Sequence, residues 1–218
     1  MASRLRPDPS LSGAWLAGQL SQREAERDPG VLGNARLTGT TGVVLLVMLA
    51  IEGVTILRIR PLLSWHFFFG FLLIPPVLLK MASTGYRFVH YYGGDARYRA
   101  AGPPRAILRL VAPVVVVSTV VVFVTGVELW VYGDQFGPEW LRLHQLSFVV
   151  WFFATSIHVL GHLARAPKLA FADFQPGRRL GGSMTRRSLA AGSVITGLAL
   201  ALATAQHVSP FVSSHFLR

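Results

Sequence analysis

The chain has 218 residues, 52% of them apolar and only 14% charged, and its mean hydropathy of +0.47 is too high for an ordinary soluble domain. The formal charge of +11, from 21 Lys and Arg against 10 Asp and Glu, does not mark a nucleic-acid binder, because the basic residues flank apolar runs instead of lining one face. With no cysteine, disulfides, thiolate-bound iron–sulfur clusters and Cys-x-x-Cys-His attachment of a c-type haem are excluded.

Residues 1–36 are polar, rich in Pro, Gly, Ser and charge, and lack the short apolar core of a cleavable signal. They read as a cytoplasmic tail, in which Leu11 to Leu20 is a short amphipathic stretch able to lie on lipid headgroups. The first span is Leu37 to Leu57, with Glu52 its only ionisable side chain, closed by Arg58, Arg60 and Pro61. The second runs from Leu62 to about Ser83, with helix continuing toward Tyr92. It carries His66 near its start, Gly70 one turn later and Lys80 near its end, and Pro75-Pro76 is expected to kink it. Gly93 to Arg109, broken by Gly102, Pro103 and Pro104, reads as a loop bearing Arg97, Arg99, Arg105 and Arg109. Leu110 to Val131 is the third span despite its valine run, because in lipid the need for internal hydrogen bonds decides for helix. Glu128 lies near its end. Leu143 to Arg165 is the fourth span, Ala166 to Thr185 a basic loop, Ser188 to Ala205 the fifth span, and residues 207–218 a short tail. The fold class is therefore all-α and polytopic, with the membrane domain spanning residues 37–206.

The fourth span carries the chemistry. From His144 to His158 the helix advances fourteen residues, returning to nearly the same face roughly 21 Å further along its axis, and His162 follows one turn later. Imidazoles within a hydrocarbon core about 30 Å thick need hydrogen bonds or a metal. Haem b with axial histidine is the cofactor that best suits a dry helical bundle without cysteine. The excess of Lys and Arg in the N-terminal tail, around Arg97 and between Arg165 and Arg187 puts those segments in the cytoplasm. The C-terminus is then extracytoplasmic. Spans two and four run in the same direction, so His66 and His144 reach similar depth and form the natural axial pair. A second haem near His158 lacks an obvious partner, with Lys80, Met81 and His90 as alternatives. Glu52 and Glu128 lie toward the outer side, where a carboxylate can relay protons to a quinone. Thr185-Arg186-Arg187 reads as the positive flank of the fifth span.

The phrases HFFFGFLLIPPVLLK and LHQLSFVVWFFATSIHVLGH resemble the bacterial cytochrome b superfamily, the membrane subunits that serve formate dehydrogenases and hydrogenases, and particularly small actinobacterial cytochrome b-type membrane proteins. The resemblance covers roughly Leu37 to Arg165. It implies a four-helix haem-binding bundle plus a fifth helix in a bacterial plasma membrane, with His66, His144 and His158 as iron ligands. It also implies electron transfer between the quinone pool and an extracytoplasmic oxidoreductase such as a molybdopterin enzyme. The first span holds no histidine, where wider members often carry one that completes a second site. On this reading the chain has no bond-making active site. The other readings are a membrane reductase serving a small acceptor such as ferric iron, and a haem-free anchor subunit.

Overall fold

The computed structural model describes residues 18–25, 27–103, 106–207 and 209–216. Most of the stretch Leu11 to Leu20, together with Pro104 and Arg105, lies outside them. Among the described residues all regular structure is helical: α1 (18–25), α2 (Pro29–Leu57), α3 (Ile59–Tyr92), α4 (Ala96–Ala100), α5 (Ala106–Tyr132), α6 (Pro138–His162), α7 (Ala166–Ala172), α8 (Ser183–Ala205) and α9 (Pro210–Phe216), with a 3-10 turn at Pro176–Arg178. Five of these, α2, α3, α5, α6 and α8, are long and apolar enough to cross a bilayer. This is a multi-pass membrane protein. Side chains such as Val117, Phe153 and Ile195 stay more than half exposed on the spans, as lipid-facing residues do.

The first span starts two turns earlier than the hydropathy run implies. Asp28 caps it by accepting hydrogen bonds from the Gly30 and Val31 amides, and Pro29 fits the first turn because a helix leaves that N–H unpaired anyway. The added turns carry Asn34 and Arg36, polar residues that look like tail but are engaged with other helices. The loops expected around Arg97 and after Ala166 contain the short helices α4 and α7, and the C-terminal tail contains α9.

The helix of α3 continues through its two prolines. Backbone dihedrals stay helical through Pro75-Pro76, and the non-helical residue is Leu62 (φ −113°, ψ 17°). A proline has the φ a helix wants. What it lacks is the N–H, so Pro76 leaves the carbonyl of Leu72 without its partner one turn on. Gly197 of α8 packs directly on that carbonyl, and an added Cβ would overlap it. Ala190, Gly197 and Ala201 form the buried small-residue stripe that lets α8 approach α3 so closely. Gly197→Val is therefore expected to force the two helices apart at a cost of about 1–3 kcal/mol. Reversible unfolding in mixed micelles measures it, and an unchanged midpoint would contradict the close approach.

Packing divides the spans into two groups. The pairs α2 with α3 and α3 with α8 lie along each other, and α7 rests on α2. Separately, α5 lies along α6 and receives α9, and the two groups meet where α3 approaches α5 and where Leu63 and Phe67 of α3 pack with Leu129 and Phe211. Leu45, Met48 and Leu73 form one core, with Phe123 and Val194 against it. Leu63, Leu129 and Phe211 form another at the α9 end. The termini of the spans sort into an α9 end and an opposite, basic end that holds α4, α7 and the start of α8.

Candidate functional site

His66 and His144 face each other across the boundary between the two helix groups, with ring centroids 6.4 Å apart and planes at 84°. His66 lies seven residues into α3 and His144 six into α6, so both sit about 10 Å from the α9 end. From the remaining helices Glu52 and Thr55 of α2 and Thr125 of α5 converge at the same level. Four helices thus contribute to one polar cluster in an otherwise apolar layer.

Each ring has its Nδ1 engaged by hydrogen-bonding neighbours. Thr125 donates its single hydroxyl proton to the carbonyl of Val121 at 2.6 Å, which leaves its oxygen to face Nδ1 of His144 at 2.9 Å as an acceptor. In that arrangement the contact calls for the proton on His144 Nδ1. Nδ1 of His66 lies 2.7 Å from Oε1 of Glu52 and 3.1 Å from Oγ1 of Thr55, whose own proton goes to the Glu52 carbonyl at 2.7 Å. In the tautomer with its proton on Nδ1, His66 donates to Glu52 Oε1 and keeps a lone pair on Nε2. A histidine held through Nδ1–H by a carboxylate or hydroxyl is oriented and made more basic as a metal ligand.

The backbone makes room for these rings. His144 lies over Gly126, where a Cβ would come 3.1 Å from Cε1, and Trp151 ties α6 to α5 lower down by donating to Thr119 Oγ1 at 3.0 Å. Gly70, one turn past His66, opens onto free space, with nothing within 4 Å of where a Cβ would stand. At the α9 end Phe67 meets Phe211 edge-on at 6.1 Å, and Ser209 donates to the Trp130 carbonyl at 2.9 Å. α9 thereby closes the bundle above the histidine pair.

The other candidates lie elsewhere. His158 and His162 are together near the basic end, ring centroids 4.8 Å apart. Lys80 donates to the Thr38 carbonyl of α2 at 2.7 Å. His90 packs against Tyr86, ring centroids 3.9 Å apart, with its Nδ1 on the Tyr86 carbonyl in the last turn of α3. Glu128 is half-buried on α5, and no hydrogen bond or ion pair among the described residues draws it into the His66–His144 cluster. His207 engages the Ala203 carbonyl at 3.0 Å. Thr55 and Thr125 were not singled out by the sequence. Their signals were a threonine one turn after the lone acid of span one and a Thr-Gly break in a valine run at the depth of His144.

Among the described residues, no three or more His, Cys, Asp or Glu are grouped to hold a metal ion alone. No family model, curated protein or solved structure matches the chain.

Glu52→Gln and Thr125→Val test the tautomer argument without touching either ring. Each removes or weakens the acceptor on one Nδ1, and each is expected to lower affinity for a metal-centred ligand about 10–100-fold. Titration of the purified variants with haem measures it. Unchanged affinity in both would remove these residues from the site.

Proposed function

We propose that the protein is a b-type membrane cytochrome whose haem is held by His66 and His144, and that it transfers electrons within the membrane. The observation that carries this reading is the facing of the two rings from helices of different groups, 6.4 Å between centroids, with Nδ1 of each engaged by Glu52 or Thr125. Metal–nitrogen bonds are about 2 Å long, and 6.4 Å between ring centres accommodates one metal atom bound by both. With only two protein ligands at hand, the metal must bring its own remaining donors, as an iron porphyrin does. Haem b, when bound, supplies a one-electron couple in the low-dielectric layer. Glu52, Thr55 and Thr125 hold the imidazoles in their ligand tautomers, and Phe67, Leu63, Leu129 and Phe211 exclude water from the α9 end.

The quinone pool and an extracytoplasmic oxidoreductase, as electron-exchange partners, rest on the sequence resemblance. The test of the reading is a reduced-minus-oxidised spectrum of the purified chain with haemochrome quantitation. One haem b per chain is expected from the outer pair. A fully reconstituted protein without b-type bands overturns the proposal and leaves the anchor reading.

The orientation is proposed from charge. Arg97, Arg99, Lys168, Arg186 and Arg187 all gather at the basic end, which the positive-inside bias puts in the cytoplasm. A reporter inserted near Gly182 is expected to show cytoplasmic activity, and one fused after Arg218 activity only across the membrane. The opposite pattern reverses every assignment of side.

A further inference from the structure

The connection between α6 and α8 concentrates positive charge. Residues 165–187 hold six Lys and Arg against one acid, Asp173, which is already shared by Arg36 and Arg186. Within this segment α7 has two distinct sides. Ala170 and Ala172 are buried, and the helix backbone lies directly on Gly39 of α2, where a Cβ would come 2.9 Å from Leu169 Cβ and 3.2 Å from the Ala166 carbonyl. The other side carries Lys168 and, three residues on, Phe171. Phe174 extends it through a turn in which its amide donates to the Phe171 carbonyl at 3.1 Å. Phe171 is 57% exposed and Phe174 50%.

Depth decides what this face meets. Gly39 lies eighteen residues, roughly 27 Å, from the Leu57 end of α2, where Arg58 and Arg60 follow. A hydrocarbon core is about 30 Å thick, so α7 rests on the flank of a span at the far edge of that core and not in water beyond the helix ends. At this level exposed phenyl rings leave water by facing acyl chains, while basic side chains reach the headgroups. The guanidinium of Arg187, from the first turns of α8, lies 4.9 Å over the Phe174 ring and so holds a positive charge beside the aromatic face. Among the described residues Asp173 pairs with Arg36 and Arg186, and no ion pair takes up Lys168 or Arg187.

We propose that α7, with Phe174 and Arg187, is an interfacial anchor for acidic phospholipid at the basic end of the bundle. Phe171 and Phe174 seat in the outermost acyl layer, and Lys168 and Arg187 hold the lipid phosphate between them. An apolar face at the edge of the hydrocarbon, rimmed by cations without counter-ions, matches a lipid with an anionic head better than a zwitterionic one. The inference stands apart from the proposed haem. It also stands apart from the orientation of the chain, because the test presents the same lipid on both faces of the membrane.

The test uses the full chain in nanodiscs of phosphatidylcholine mixed with phosphatidylglycerol. Because the chain has no cysteine, Phe171→Cys gives a single attachment point for a spin label on an exposed position. The label is expected to be relaxed by dissolved oxygen more than by a water-soluble nickel chelate, as at the acyl boundary. Native mass spectrometry of protein released from the discs is expected to show phosphatidylglycerol retained in preference to phosphatidylcholine. Lys168→Gln and Arg187→Gln are each expected to lower that preference about fivefold, the scale of one basic residue near an anionic surface. A label relaxed mainly by the nickel chelate would mean that the face is open to water and to soluble partners. Dipolar broadening of its spectrum would mean that a second copy covers it. Either result, or an equal lipid preference in wild type and both glutamine variants, overturns the proposal.

Discussion

His66→Ala and His144→Ala are each expected to empty the same haem site, while His158→Ala leaves it filled. The reason is geometric. His66 and His144 approach to 6.4 Å between ring centres, each with Nδ1 already committed to a neighbour, whereas His158 lies roughly 21 Å further along α6. Removing a supporting residue such as Glu52 typically costs about 10–100-fold in affinity, and removing an axial ligand costs more. Haem content and redox titration at matched protein levels, with circular dichroism to confirm folding, measure the effect. Retention of the full spectrum in His66→Ala together with its loss in His158→Ala would move the cofactor to the basic end. A folded triple variant that still binds haem stoichiometrically would remove all three histidines.

Asp173→Ala is expected to be the most destabilising change away from the histidines, by about 3–5 kcal/mol. Asp173, at the end of α7 and buried, takes Arg186 Nε on Oδ2 at 2.6 Å, Arg186 Nη2 on Oδ1 at 2.8 Å and Arg36 Nη1 on Oδ1 at 2.7 Å. One carboxylate thereby joins α2, α7 and α8. Truncating it removes the shared counter-ion of two guanidiniums that are largely buried, the situation in which a broken buried pair is expensive. The side-chain hydrogen bonds from Arg186, reinforced by those from Arg36 and opposed by burial, hold the Asp173 carboxyl below the usual carboxylate range. A depressed folded-state value means that the contribution is complete above the ordinary carboxylate range, near pH 4, and is lost as pH falls through the lower folded value. Wild-type stability attributable to this group is thus expected to be flat from about pH 5 to 8 and to fall in acid, and Asp173→Asn to lose that acid-dependent segment. Unfolding midpoints of the two proteins across this range check it. A difference between them that persists undiminished below about pH 3 would mean the triad is not what stabilises.

The spans were legible because a bilayer imposes one simple demand, about twenty apolar residues with every backbone group paired internally, and five runs meet it. The proximity of His66 and His144 followed from direction and depth alone. What the sequence hid was contact between distant residues. Asp173 meets Arg36 across 137 positions, and nothing in the polarity of either segment announces the pair. Arg186 reads as a topology signal and is also a largely buried clasp on Asp173, while its neighbour Arg187 sits over the Phe174 ring at 4.9 Å. α7 and α9 escaped because seven-residue helices with prolines at their starts have the composition of loops. α3 runs on past Pro75-Pro76 because proline removes a donor without forbidding helical dihedrals, and α8 packs on the Leu72 carbonyl that loses its partner.

The fold-back of α9 also bears on biogenesis. Pro210–Phe216 follows all five spans in the chain yet docks on α3 and α5, with Phe211 against Leu63 and Leu129 and Pro210 against Gly133. During synthesis these partners are in the membrane before their cover exists. The end of the bundle nearest His66 and His144 therefore stays uncapped until α9 emerges, so this cover is the last part of the polar cluster's surroundings to be synthesised.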